Sequence, residues 1–216
     1  MDQSEVFVGH ESHFIHVYHQ NGTWLRALPV DLTLGDVRAV AVCGETLVVA
    51  GENGCQALNR RDGRVIHVLC CMTTPTSHTG VVISDGEVFV ANLARISVYS
   101  LADGRLLRTL SVNQSAPGDL AEVGTELFVL DGTHGRVYVL ERTTGCVLRH
   151  FGNFNAPNNM VMHGDEILVS DYPNVQYVFS LTGQMVRSAH CCASRGLAVF
   201  GSELYALTDS NVIVME

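Results

Sequence analysis

Residues 87–90 read EVFV, and the same pattern returns along the whole chain. It stands as EVFV at 5–8, TLVV at 46–49, ELFV at 126–129, EILV at 166–169 and ELYA at 203–206. Successive starts lie 41, 41, 39, 40 and 37 residues apart. Five of the six begin with Glu, and each continues with an aliphatic residue, a bulky one, and Val or Ala. Self-similarity at a fixed spacing of this size marks a repeat architecture, in which one supersecondary unit is copied and stacked.

Two further series run in step with the first. Gly22, Gly63, Gly104, Gly145 and Gly183 sit in QNG, RDG, ADG, TTG and LTG, and four residues after each come Arg26, His67, Arg108, Arg149 and Arg187. Gly44, Gly86, Gly124, Gly164 and Gly201 precede the EVFV-type segments. Glycine accepts positive φ without steric cost, so these positions read as tight hairpin turns. Between them lie short runs of β-branched, aliphatic and aromatic residues. The third unit shows the plan: GVVIS is strand a, EVFVANL strand b, RISVYSL strand c and RLLRTLSV strand d. No segment sustains a helical period.

Four strands repeated about every forty residues predict an all-β fold, a β-propeller in which each blade covers its neighbour's apolar face. That explains strands apolar on both sides. A two-sheet sandwich has no need of the same residue at the same place six times. The repeat units fall at about 1–30, 37–72, 79–113, 117–152, 157–190 and 195–216, within a single domain spanning 1–216. The expected count is six blades with incomplete first and last blades; five blades or an open ring is the alternative. Unit one begins at strand b and unit six stops at strand c. An unpaired strand edge is a liability. A fragment of a longer protein, an open ring, or a second chain supplying the edge would each account for it.

The units resemble NHL repeats. Unit five, APNNMVMHGDEILVSDYPNVQYVFSLTGQMVR, and unit four, APGDLAEVGTELFVLDGTHGRVYVLERTTGCVLRHFG, follow that pattern most closely. Unit two departs from it, since VVAGENGCQAL lacks the Asp that ends strand b. The resemblance implies the propeller fold. It does not imply one activity, because the fold hosts many.

The chain has 216 residues, of which 47% are hydrophobic and 16% charged. Its net charge is −9, and all 13 basic residues are Arg. That balance opposes binding to nucleic-acid phosphate or an anionic membrane, and favours a basic protein or peptide. No apolar run approaches the length of a membrane span, and no secretory signal is visible at the start. Seven cysteines, Cys43, Cys55, Cys70, Cys71, Cys146, Cys191 and Cys192, are an odd number. Reduced thiols and a cytoplasmic location are therefore expected.

His10, His13, His16 and His19 recur every third residue. On a helix they would converge. On a strand, rising about 3.3 Å per residue and alternating faces, His13 and His19 end roughly 20 Å apart. A four-His cage is thereby excluded, and His10 with His13 supplies only two of the three or four ligands zinc takes. The doublets HVLCCM and SAHCCA belong to different units, so they read as buried thiols rather than halves of one site. Arg at the fourth position after the turn glycine reads as protection of an outer strand edge.

The b–c and d–a loops of a propeller open on one face. The candidate binding residues there are His13, Asn53, Asn92, Asp131, His134, Phe154, Tyr172, His190 and Asp209, with Glu11, His78 and Asp171 on the same rim. Asp131, Asp171 and Asp209 match the Asp ending strand b of the NHL pattern, where such a residue caps the following turn. No catalytic residue, metal ligand or cofactor is assigned. The expected function is a non-catalytic scaffold binding a protein or peptide on this face, with self-association through the incomplete blades as a further outcome. The alternative, taken from similar propellers, is a metal-dependent lyase or lactone hydrolase at the central channel.

Overall fold

Glycine turns and the apolar runs between them produce strands throughout the described residues, apart from one 3-10 turn at Leu32–Leu34. The computed structural model describes residues 5–9, 14–71, 80–92, 95–112, 117–190, 196–200, 203–207 and 212–215. The chain divides into two compact units, Met1–Ser111 and Val112–Glu216.

The first unit holds three antiparallel sheets, each a meander in chain order. Sheet one is β1 (Glu5–Gly9), β2 (Phe14–His19) and β3 (Trp24–Pro29). Sheet two is β4 (Val37–Cys43), β5 (Thr46–Gly51), β6 (Gly54–Asn59) and β7 (Val65–Cys71). Sheet three is β8 (Val81–Ser84), β9 (Glu87–Asn92), β10 (Arg95–Ser100) and β11 (Leu106–Ser111). Cys70 and Cys71 lie inside β7, paired with Cys55 and Gly54.

The second unit repeats the plan. Sheet four is β12 (Pro117–Val123), β13 (Glu126–Asp131), β14 (Arg136–Glu141) and β15 (Val147–Phe151). Sheet five is β16 (Pro157–His163), β17 (Glu166–Asp171), β18 (Val175–Ser180) and β19 (Met185–His190). Sheet six is β20 (Gly196–Phe200), β21 (Glu203–Leu207) and β22 (Val212–Met215). Among the described residues the end sheets have three strands each, b, c and d in sheet one and a, b and c in sheet six, as the repeats predict. Four sheets are complete four-stranded blades, so the expected six blades are corrected to five, the count given as the alternative.

Strand b carries the core. In β5, Leu47 and Val49 join a cluster with Ile15, Val17 and Leu28 of sheet one. Val48 and Ala50, pointing the other way, join Val88 and Val90 of sheet three. β17 does the same: Ile167 and Val169 pack with Phe128 and Leu130, while Leu168 packs with Leu204. Both faces of a strand are thus dry, which is why apolar residues run without alternation. Each fully buried Val or Leu contributes about 1.5–3 kcal/mol, so strand b is the most heavily stabilised element of its sheet.

Strand d carries a bulge at one place in all five sheets that have it. Val98 pairs Arg108 while Tyr99 pairs Leu106, leaving Leu107 as the extra residue. Leu25, Ile66, Leu148 and Val186 are extra in the same way. A bulge re-aims the residues beside it. Here the two residues after the turn both face outward, and the next basic residue turns back across strand c. Trp24, Leu25, Leu106, Leu107, Val147, Leu148, Met185 and Val186 are exposed for this reason.

The turned-back arginine meets the glutamate that opens strand b. Arg108 donates from both Nη atoms to Glu87, at 2.5 and 2.7 Å. Arg149 donates to Glu126 at 2.6 and 2.6 Å, and Arg187 to Glu166 at 2.6 and 2.8 Å. Arg26 and Glu5 make the same fork. Bidentate charge-assisted pairs of this kind are the strong ones. The guanidinium also lies over the aromatic ring two residues on, 5.7 Å from the Phe89 centroid for Arg108 and 5.8 Å from Phe128 for Arg149. Sheet two has Thr46 for Glu and His67 for Arg, so both partners are replaced together.

The same side chain reaches the next sheet. Arg26 donates to Arg60 O at 3.1 Å, His67 to Ala102 O at 3.0 Å and Arg149 to Leu181 O at 2.7 Å. The reading of these residues as edge protection is therefore corrected: past the bulge the four arginines pair with the glutamate of strand b, and Arg26, His67 and Arg149 hold the neighbouring turn.

Candidate binding surface

The second unit gathers three loops by hydrogen bonds centred on two buried carboxylates. Asp131 ends β13 and is fully buried. Its Oδ1 accepts from the backbone N–H of Thr133 at 2.8 Å and of His134 at 3.2 Å. This is the turn cap expected of it. Its Oδ2 accepts from His134 Nδ1 at 2.6 Å. The ring is thereby fixed in orientation and tautomer, with Nε2 directed away from the carboxylate. His134 itself stays 45% exposed, so a bound molecule can reach that nitrogen.

Asp171 ends β17 and is also buried, at 6% exposure. It does not cap the turn after it, which corrects the expectation. Its oxygens instead accept from the backbone N–H of Asn155 at 2.9 Å and of Ala156 at 2.6 Å. Tyr172 N donates to Ala156 O at 3.0 Å. The 152–156 loop is held on its other side by Phe154 N donating to Gly135 O at 2.8 Å. Gly135 has φ of +60°, and a side chain there would overlap the Phe154 carbonyl. Only glycine meets both demands. Buried carboxylates that take these backbone N–H groups satisfy donors that water would otherwise have to serve, which stiffens the loops.

Of the expected binding residues, His134 and Tyr172 present themselves to solvent on these linked loops, Tyr172 at 63% exposure. Phe154 does not. It is 7% exposed and packs edge-on against Phe179 and beside Tyr177. Its ring supports the loop from beneath, so its role as a surface anchor is withdrawn. His190 is exposed at the end of β19. Asn53 and Asn92 belong to the first unit. Asn53 N donates to Leu34 O at 2.9 Å, and Asn92 is 7% exposed at the end of β9, so it offers little surface. His13, Asp209, Glu11 and His78 lie outside the described residues, as do Cys191 and Cys192.

Among the described residues no group of three or more His, Cys, Asp or Glu side chains is placed to hold a metal ion. His16 and His19 stand apart on β2, paired with Val8 and Glu5. The Asp119 carboxyl in β12 is pushed up to about 6, and burial is the cause. Its Oδ1 accepts from Leu120 N and its Oδ2 from Met160 N of β16, both at 2.9 Å, and these bonds act in the opposite direction. It ties strand a of sheet four to strand a of sheet five.

The repeating Glu–Arg fork was missed from the sequence, although both members were visible as separate series. The signal that could have joined them is the paired change to Thr46 and His67 in unit two.

No family model matches the chain, and no curated protein is similar to it in sequence. Solved structures match over nearly its full length. The WD40 β-propeller domain of Doa1 superposes with a TM-score of 0.79 at 12% identity, covering 99% of this chain and 74% of that one. The Pan2 WD40 domain of Neurospora crassa gives 0.72 at 12% identity, covering 98% and 72%. BamB from Moraxella catarrhalis gives 0.65 at 19% identity, covering 98% and 69%. The resemblance to NHL repeats has no family match behind it. What four-stranded sheets, a forty-residue period and these superpositions together establish is the fold, an all-β propeller.

Proposed function

We propose that this propeller is a non-catalytic interaction scaffold whose protein or peptide partner docks on the linked loops of its second unit. The observation carrying this reading is the pair of buried carboxylates, Asp131 and Asp171, that brace backbone loops and leave His134 and Tyr172 exposed. Rigid loops presenting an imidazole and a phenol lose little entropy on binding, and Tyr is among the residues enriched at energetic centres of interfaces. WD40 domains among the structural neighbours fit a binding role by analogy of fold alone.

The net charge of −9 favours a basic partner and disfavours nucleic acid. His190 and Asp209 of the same unit stay in the proposal as outlying contacts. We further infer a single five-bladed propeller domain spanning 1–216, with a cytoplasmic location suited to reduced thiols. No helix among the described residues is long and apolar enough to cross a membrane.

The test is proximity labelling to find partners, then titration of a purified partner against the wild type, H134A/Y172A and the control R105A. The double variant should bind at least about tenfold more weakly, while R105A is unchanged. Equal binding by all three would overturn the surface. A stoichiometric divalent ion in the purified protein would favour the channel-enzyme reading instead.

A further inference from the structure

We infer that Cys55 and Cys70 are a reversible modification site, closing as an intrasheet disulfide across β6 and β7 when a small-molecule disulfide such as oxidised glutathione is supplied. The two residues are direct cross-strand partners in the antiparallel ladder. Partners in such a ladder point to the same face, with Cβ atoms about 4.5–5.5 Å apart. A disulfide needs roughly 3.5–4.5 Å, so a closure of about 1 Å suffices. Both side chains lie in one apolar cluster, with Val48, Leu69, Val88 and Tyr99 around them. Neither is in a disulfide in this structure.

Local backbone assists the closure. The ladder shifts register between Cys55 and Gln56, which makes Leu69 the extra residue next to Cys70. A bulge tolerates a change of twist that a regular ladder resists. Gly54, beside Cys55, has no side chain, and a Cβ there would lie 2.5 Å from the Cys70 carbonyl oxygen. β7 can therefore sit close to β6 at this end. The Tyr99 hydroxyl is hydrogen-bonded to Cys70.

Exposure sets the order of events. Cys70 is half-buried and Cys55 is fully buried, so Cys70 meets the reagent first. Its thiolate attacks one sulfur of oxidised glutathione, the reagent's S–S bond breaks, and one glutathione thiolate leaves. The Cys55 thiolate then attacks the Cys70 sulfur of the mixed disulfide, that S–S bond breaks, and a second glutathione thiolate leaves. The two thiol protons pass through solvent to the two released thiolates. The protein loses two hydrogens and the reagent is reduced to two thiols. Burial pushes the Cys55 thiol well above its ordinary range, and its neighbour Cys70 adds to that. The second step is consequently the slow one, since the thiolate is the nucleophile.

The full chain is incubated in glutathione buffers of rising oxidised fraction, quenched with an alkylating reagent, and read by intact mass and peptide mapping. The wild type should pass through one glutathione adduct on Cys70 to a form lacking two alkylatable thiols, with Cys55 joined to Cys70. C55S should stop at the adduct, C71S should close like the wild type, and added dithiothreitol should restore every thiol. A bridge from Cys70 to any cysteine other than Cys55 would overturn the inference. So would adducts confined to exposed Cys43 and Cys146 while Cys55 and Cys70 stay alkylatable after unfolding.

Discussion

Arg149 does three things at once: it forks onto Glu126, lies over Phe128 and caps the Leu181 carbonyl. Such a half-buried pair contributes through geometry more than through charge, so Lys is no substitute for the planar fork. R149A and R149K should each lower stability by roughly 1–2 kcal/mol in urea unfolding, as for loss of a hydrogen-bonded charge partner. The double change E126T/R149H, which copies sheet two, should cost less than the sum of E126T and R149H; strict additivity would show that the two do not interact. Arg149 also holds the Glu126 carboxyl below its ordinary 4.5. An acid with a depressed folded value binds fewer protons when folded than when unfolded. Its stabilisation is complete above pH 4.5 and is lost as pH falls through the lower folded value. Asp119 has the opposite sign. Its folded value, about 6, exceeds the ordinary 3.8, so its ionisation costs stability increasingly between those values and fully above them. Carboxyl NMR should place its midpoint near 6; a midpoint under 4 would mean that the bonds from Leu120 and Met160 outweigh burial.

At the scale of the element, the turn between strands c and d decides how closely sheets approach. Gly183 has φ of +85°, and a Cβ on it would lie 2.5 Å from the Phe151 ring of the preceding sheet. Gly164, in the turn between strands a and b, has φ of +60° with nothing near. G164A should therefore cost only the backbone strain, about 1 kcal/mol, whereas G183A adds a steric clash and should cost about twice that or more. Equal losses in urea unfolding would remove the close-approach role of the c–d turn. The five turn glycines were legible in the sequence as hairpin formers. The contact of Gly63, Gly104 and Gly183 with the sheet before them was not, because nothing in a tight turn states what lies across from it.

For the molecule as a whole, protection should follow strand position rather than chain position. Strands β5, β9, β13 and β17 share one pattern, exposed only in part at the first residue and buried thereafter. β19 is exposed along its whole length, and Arg187 in it is 57% exposed where Arg26, Arg108 and Arg149 are at 31%, 27% and 31%. Amide exchange should be slowest in the four b strands and fast in β19. Protection of β19 equal to that of β17 would mean that another segment covers it. The chain period named the b strands in advance. The exposure of β19 depended on what stacks upon it, which a repeat alone does not specify.

The sequence by itself determined the strands, the turns and the repeat, because φ at glycine and the apolarity of short runs act within a few residues. It also placed Asp131 and His134 three residues apart on one turn, close enough for their bond to follow from local geometry. Only the tertiary structure decided that Arg149 faces Glu126, that Asp171 braces a loop fifteen residues before it, that Phe154 is buried, and that Cys55 lies opposite Cys70. Each of those depends on register between strands. One bulged residue in strand d shifts that register and reverses the facing of the residues beyond it, and its effect appears only when the strands are laid side by side.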